Sequence, residues 1–198
     1  MIDIKKQEGI STNMKKKEKI DDFQIGNVYA VELINKTWGI IQLCHISKVE
    51  NVCFLTYALF DINEKSISML KNKIFKYDLS TPFIVATLSE RPTKGKWILL
   101  GNRSVDYQNV DLKKNITGTW GWYKNKESGL FPKFESYLGI LPWDLCVGKA
   151  AIENFLVTPT NKPLNIRYLK DFTRKEIEQL GLLKVIEYAN RLDELKKE

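Results

Sequence analysis

The chain has 198 residues, 43% of them hydrophobic and 28% charged, a balance that excludes a disordered chain and allows one buried core. The formal net charge is +7, unevenly spread. Residues 23–90 balance to zero, whereas 91–126 hold eight basic residues against only Asp106 and Asp111, so an acidic partner suits that segment.

Residues 1–20 are polar, Lys-rich and aperiodic, which predicts a flexible tail ahead of a single domain over 21–198. The tail lacks the apolar core of a secretory signal. No run approaches the ~18 apolar residues of a membrane span. Cys44, Cys53 and Cys146 are odd in number, and no pair has metal-ligand spacing. Together these features predict a cytoplasmic protein.

The first strand is expected in "NVYAVELI", with Val28, Ala30 and Glu32 on one face and Tyr29, Val31 and Leu33 on the other. Asn35-Lys36 predicts a turn, "TWGIIQLCHI" a return strand, and Val52 to Phe60 a third strand. These runs are too apolar for a sheet with one wet face. They call for a sheet that is curled or covered by a second layer. A short helix is expected over Glu64 to Lys73. "PFIVATLS" and "KWILLGN" predict two more strands, with "TKGKW" read as a hairpin turn between them.

Residues 103–140 are rich in turn formers and aromatics and read as a long loop with short strands. Val147 to Leu156 fits either a helix or a strand. Near the C-terminus, Thr173 and Glu176 have the spacing of a capping box, and Gly181 lies where one helix ends and a second can follow. The expected fold class is α+β: a twisted, mostly antiparallel sheet, open or barrel-like, with a C-terminal helical segment.

Catalytic signatures are sparse. His45 is the only histidine, and a Ser-His-Asp or Cys-His arrangement would have to use it. Cys44 is its neighbour, but adjacent residues on a strand point to opposite faces. There is no H-E-x-x-H, no C-x-x-C and no phosphate-cradling glycine loop. Asp61, Asp78, Glu90, Asp106 and Asp144 are carboxylate candidates without any distinguishing pattern. No catalytic, metal-ligating or cofactor-binding residue is assigned.

The basic segment interleaves charge with aromatics. Trp120, Trp122 and Tyr123 adjoin Lys124 and Lys126, with Lys113 and Lys114 just upstream. Trp120 and Trp122, two apart, fit first of all one buried face of a strand; next, the pattern fits a protein interface, where rigid rings supply contact area. It also fits single-stranded nucleic acid, where rings stack on bases and ammonium groups meet phosphates. Lys113, Lys114, Trp122, Tyr123 and Lys124 are the candidate partner-binding residues.

Residues 23–102 resemble the bacterial immunity protein 26 family of polymorphic toxin systems. The likeness rests on Gly26, Val28, Tyr29, Ala30 and Val31 in the first strand, on Trp38 and Gly39 opening the second, and on Trp97, Leu100 and Gly101 later. Asn27 stands where the family has an acid, and Glu32 where proline is common. The resemblance implies an α+β protein with no activity of its own, no cofactor, and a cognate toxin as partner. A basic immunity protein suits an acidic toxin surface. The alternative from the residues alone is a nucleic-acid-binding protein using 91–126; an enzyme built on unpatterned carboxylates ranks third.

Overall fold

The alternation in the first strand decides how the sheet is covered. A computed structural model describes residues 23–50, 52–88, 97–117, 122–123, 126–127, 130–145, 151–158 and 162–182. Strand β1 (Asn27–Glu32) is followed by β2 (Trp38–Val49) and β3 (Val52–Glu64). Tyr29, Val31 and Leu33 face one apolar layer, while Val28 and Ala30 face the other. The turn between β1 and β2 forms at Asn35-Lys36 as expected. Lys36 takes φ +67°, and the Asn35 side chain accepts hydrogen bonds from the Thr37 N–H and hydroxyl at 3.1 and 2.7 Å.

Strands β4 (Ile84–Leu88) and β5 (Trp97–Asn102) complete an antiparallel sheet in the order β5-β1-β2-β3-β4. A two-residue strand, β8 (Lys126–Glu127), adds in parallel beside β4. The sheet curls, bringing the Trp97 ring within 5.3 Å of the Tyr57 ring on β3, centroid to centroid. It is nevertheless open, and the barrel-like option is excluded. Closure would need β5 to bond to the far edge, but among the described residues β5 bonds only to β1.

The hairpin expected at "TKGKW" is also corrected. Strand β4 pairs with β3 and β5 pairs with β1, so the connection crosses from one side of the sheet to the other. Residues 89–96 themselves lie outside the described residues, as do 1–20.

Both faces are covered, as the apolar runs require. Tyr29, Val31, Ile41, Leu43, Tyr57 and Leu59 pack under Phe134 and Tyr137 of helix α3 (Leu130–Tyr137) and under Trp143 and Ile152. Helix α3 was not foreseen within the long loop. Pro132 sits in its first turn, where no N–H is needed. Gly39 makes this layer possible. A Cβ there would lie 2.6 Å from the Phe134 ring.

On the opposite face, Val28, Ala30, Ile40, Ala58 and Phe60 pack under Leu70 of helix α1 (Ile67–Lys73) and under Ile74 and Leu79. Ser66 caps α1, near the expected start.

A smaller cluster gathers Leu141, Leu145, Leu169, Phe172, Ile177 and Leu182 around helix α4 (Arg174–Gln179). The Thr173–Glu176 capping box forms in full. The helix ends at Gly181, whose φ of +68° suits a residue without Cβ. The second apolar stripe, beyond Leu182, lies outside the described residues. Val147 to Leu156 is neither regular helix nor regular strand where described: Ile152–Asn154 forms a 3-10 turn, and Leu156 makes a single bridge to Ile84.

Candidate partner-binding site

The basic segment leaves the sheet at the end of β5 and is fastened at once. Gln42 on β2 is fully buried. Its amide N–H₂ donates to the Arg103 carbonyl at 2.9 Å, and its carbonyl oxygen accepts from the Tyr107 hydroxyl at 2.9 Å. The Tyr107 ring then packs edge-on against Phe60, with centroids 6.1 Å apart. Burial raises the Tyr107 hydroxyl far above its usual pKa, so it stays a neutral donor.

Further along, the Gln108 N–H donates to the Ser80 carbonyl at 2.9 Å, and the Asn109 amide donates to the Pro82 carbonyl at 3.2 Å. A one-turn helix, α2 (Leu112–Asn115), follows, capped by Asp111, whose carboxylate accepts from the Lys114 N–H at 3.0 Å. The segment is therefore a loop in path but is held to the scaffold by buried or partly buried hydrogen bonds. A surface hollow of about 580 Å³ runs along residues 105–113.

The two lysines of α2, Lys113 and Lys114, are exposed. Strand β6 (Ile116–Thr117) continues from α2 and pairs antiparallel with β7 (Trp122–Tyr123), with Ile116 opposite Tyr123 and Thr117 opposite Trp122. Four of the five candidate residues thus belong to one small unit of helix turn and strand pair. Lys124, like Trp120, lies outside the described residues.

Arg103, counted in the basic segment, has a structural partner instead. Its guanidinium donates to the carbonyls of Ile74 at 3.2 Å and Tyr77 at 2.8 Å, closing off the end of the α1 layer.

No family model, curated protein or solved structure matches the chain.

The catalytic candidates are dispersed. Cys44 is buried on the α1 side of the sheet, where burial pushes its thiol up to about 12 and its S–H donates to the Thr56 carbonyl. A thiol so poised is inert. His45 is half-buried, its pKa lowered by that burial. A register shift sits at Cys44, between Leu43 and His45.

Asp78 accepts from the Ser80 N–H and Asp144 from the Leu169 N–H, each at 2.8 Å. Burial raises the pKa of Asp61, and Glu90 is outside the described residues. Among the described residues there is no group of three or more His, Cys, Asp or Glu side chains placed to hold a metal. Among them, too, no helix is long and apolar enough to cross a membrane.

Sequence reasoning passed over Gln42, Lys133 and Glu135. A glutamine inside the apolar run "GIIQLC" was the available signal for the first. Glu135 is almost wholly buried in α3 and accepts from the Ile34 N–H at 2.6 Å; burial pushes its carboxyl up to about 7. Lys133, also buried, places its ammonium 4.5 Å from the centroid of the Phe155 ring. The spacing of Phe131, Phe134 and Tyr137 could have revealed the helix carrying both.

Proposed function

We propose that this protein is a cytoplasmic immunity protein that binds and neutralises a cognate bacterial toxin without catalysis of its own. The observation that carries the reading is the unit of α2, β6 and β7. Exposed Lys113 and Lys114 stand on the same small unit as Trp122 and Tyr123, fastened to a sheet buried on both faces. Recognition commonly uses such loops on rigid scaffolds. Lysines steer an acidic partner, and an aromatic supplies a buried anchor. The likeness of residues 23–102 to the immunity protein 26 family supplies the class of partner.

Co-expression with the toxin encoded beside this gene tests the proposal. Cells carrying both survive, whereas cells carrying the toxin alone die. Equal killing with and without this protein refutes it.

The interleaving of lysines with aromatics supports a second reading, binding of single-stranded nucleic acid. That reading requires affinity for oligonucleotides that falls steeply with salt. Absence of binding at low salt removes it.

A further inference from the structure

The two edges of the sheet are treated differently. Beside β4 the edge is occupied: β8 pairs with Thr87 and Leu88, Leu156 bridges Ile84, and the Val157 N–H donates to the Phe83 carbonyl. Beside β5 no strand among the described residues pairs on the outer side.

The hydrogen-bond alternation shows which groups of β5 face outward. The Leu33 N–H donates to the Thr37 carbonyl, so Val31 and Tyr29, two and four residues earlier, bond towards β2. Ala30 and Val28 then bond towards β5, and the Arg103 N–H donating to the Gly26 carbonyl lies on the same alternation. Trp97 and Leu99, opposite Val31 and Tyr29, must turn their N–H and C=O groups outward. The Leu99 side chain is 55% exposed.

The six-residue edge strand "WILLGN" carries neither proline nor charge, and a bulge at Leu100, between the partners of Val28 and Tyr29, is the one edge-blunting feature within it. We infer that β5 is a docking edge that accepts an extended segment of the toxin as an added strand, with a carboxylate beside that segment's apolar residues. The inference rests on the immunity reading above and adds the geometry of contact.

Charge suits this occupant. Lys94 and Lys96 precede β5, whereas the guanidinium of Arg103, which follows it, is bound to the carbonyls of Ile74 and Tyr77. An incoming strand with a carboxylate beside the Lys94–Lys96 end meets opposite charge there. Main-chain bonds supply affinity in such strand addition, and side chains supply choice. The edge leads directly into the fastened segment from 103 to 117, so one partner can reach both.

The test uses the full chain with the toxin domain encoded beside its gene. Amide hydrogen exchange at Trp97 and Leu99 is followed in the free protein and in the complex. The expected result is fast exchange when free and slowing by roughly tenfold or more when bound. Leu99→Pro, which removes one outward N–H, should weaken binding by roughly tenfold or more, while Leu99→Thr, which keeps it, should bind close to wild type. If Leu99→Pro fails to fold, the exchange result on the unaltered chain decides. A complex in which the Leu99 amide exchanges as fast as in the free protein overturns the inference and leaves the immunity reading standing. Concentration-dependent protection of Leu99 without toxin assigns the edge to a second copy and also overturns it. If no complex forms, the immunity reading itself fails, and the strand addition with it.

Discussion

Replacing Gln42 with leucine keeps nearly the same volume at a site with no solvent exposure but removes the amide that fastens the start of the basic segment. Its two short bonds, to the Arg103 carbonyl and from the Tyr107 hydroxyl, are both 2.9 Å, while its contacts to the Gly26 and Ser104 carbonyls are longer, at 3.3 and 3.4 Å. The short pair dominates, because hydrogen bonds weaken towards the longer distances. Each buried group left without a partner costs about 1–3 kcal/mol, so Gln42→Leu should destabilise by about 2–4 kcal/mol. That is a large share of the ~5–15 kcal/mol that holds a typical domain.

Urea denaturation should show a lower midpoint with an unchanged slope. Tyr107→Phe in the Gln42→Leu background should cost less than in wild type, because the hydroxyl's bond to the Gln42 carbonyl oxygen is already gone. A loss under about 0.5 kcal/mol for Gln42→Leu, within the range of an ordinary surface change, would show that the network does not hold the segment. So would strict additivity of the two changes.

Gly39→Ala should destabilise by about 1–3 kcal/mol, since the added methyl meets the Phe134 ring; an unchanged melting temperature refutes the close approach. Glu135 should make stability fall with rising pH. Its folded pKa, near 7, stands above the ordinary 4.5, so its contribution is complete below about pH 4.5 and lost as pH rises towards 7, on the order of 3 kcal/mol. Urea midpoints at pH 5 and pH 8 should differ accordingly, and Glu135→Gln should flatten the difference. Glu176 acts in the opposite sense at lower pH, because its capping hydrogen bonds and Arg167 hold its carboxyl down at about 2; the help it gives is present above pH 4.5 and lost as pH falls towards 2. Thr173→Ala should cost about 1 kcal/mol by removing the other half of that capping box, read as a lower urea midpoint. Reversing Lys113 and Lys114 to Glu should slow toxin association and reduce its salt dependence, with little change in the circular dichroism spectrum; unchanged association kinetics would place the contact elsewhere.

The parts of the fold legible in the sequence are those fixed by neighbours along the chain. The alternation from Val28 to Leu33, the Asn35-Lys36 turn and the Thr173–Glu176 box are all local, and all three appear as read. Strand partnership is not local. Nothing in "WILLGN" says that it bonds to β1 rather than to β4, because that choice is made by packing across the whole sheet. Helix α3 was hidden by Pro132 and by the turn formers before it, which read as breaks until its first turn is seen to tolerate proline. At the candidate site, charge and aromatic content were visible, but the orientation of each side chain was not. Arg103 counts as one more positive charge in the sequence, and in the fold its guanidinium is bound by two carbonyls.

The pairing of β5 with β1 has a consequence for how the chain is made. The Asn102 amide bonds to Asn27, 75 residues earlier. Strand β1 lies between β5 and β2 in the sheet, yet it can pair on only one side until residue 102 has been synthesised. At roughly 5–20 residues per second, the interval is about 4–15 s. During that time the nascent chain presents β1 as a bare apolar edge, and closing so long a loop is intrinsically slow. Ribosome-bound chains halted just short of residue 97 should therefore be the form most prone to chaperone capture and to mispairing, and release of only a few more residues should end that exposure.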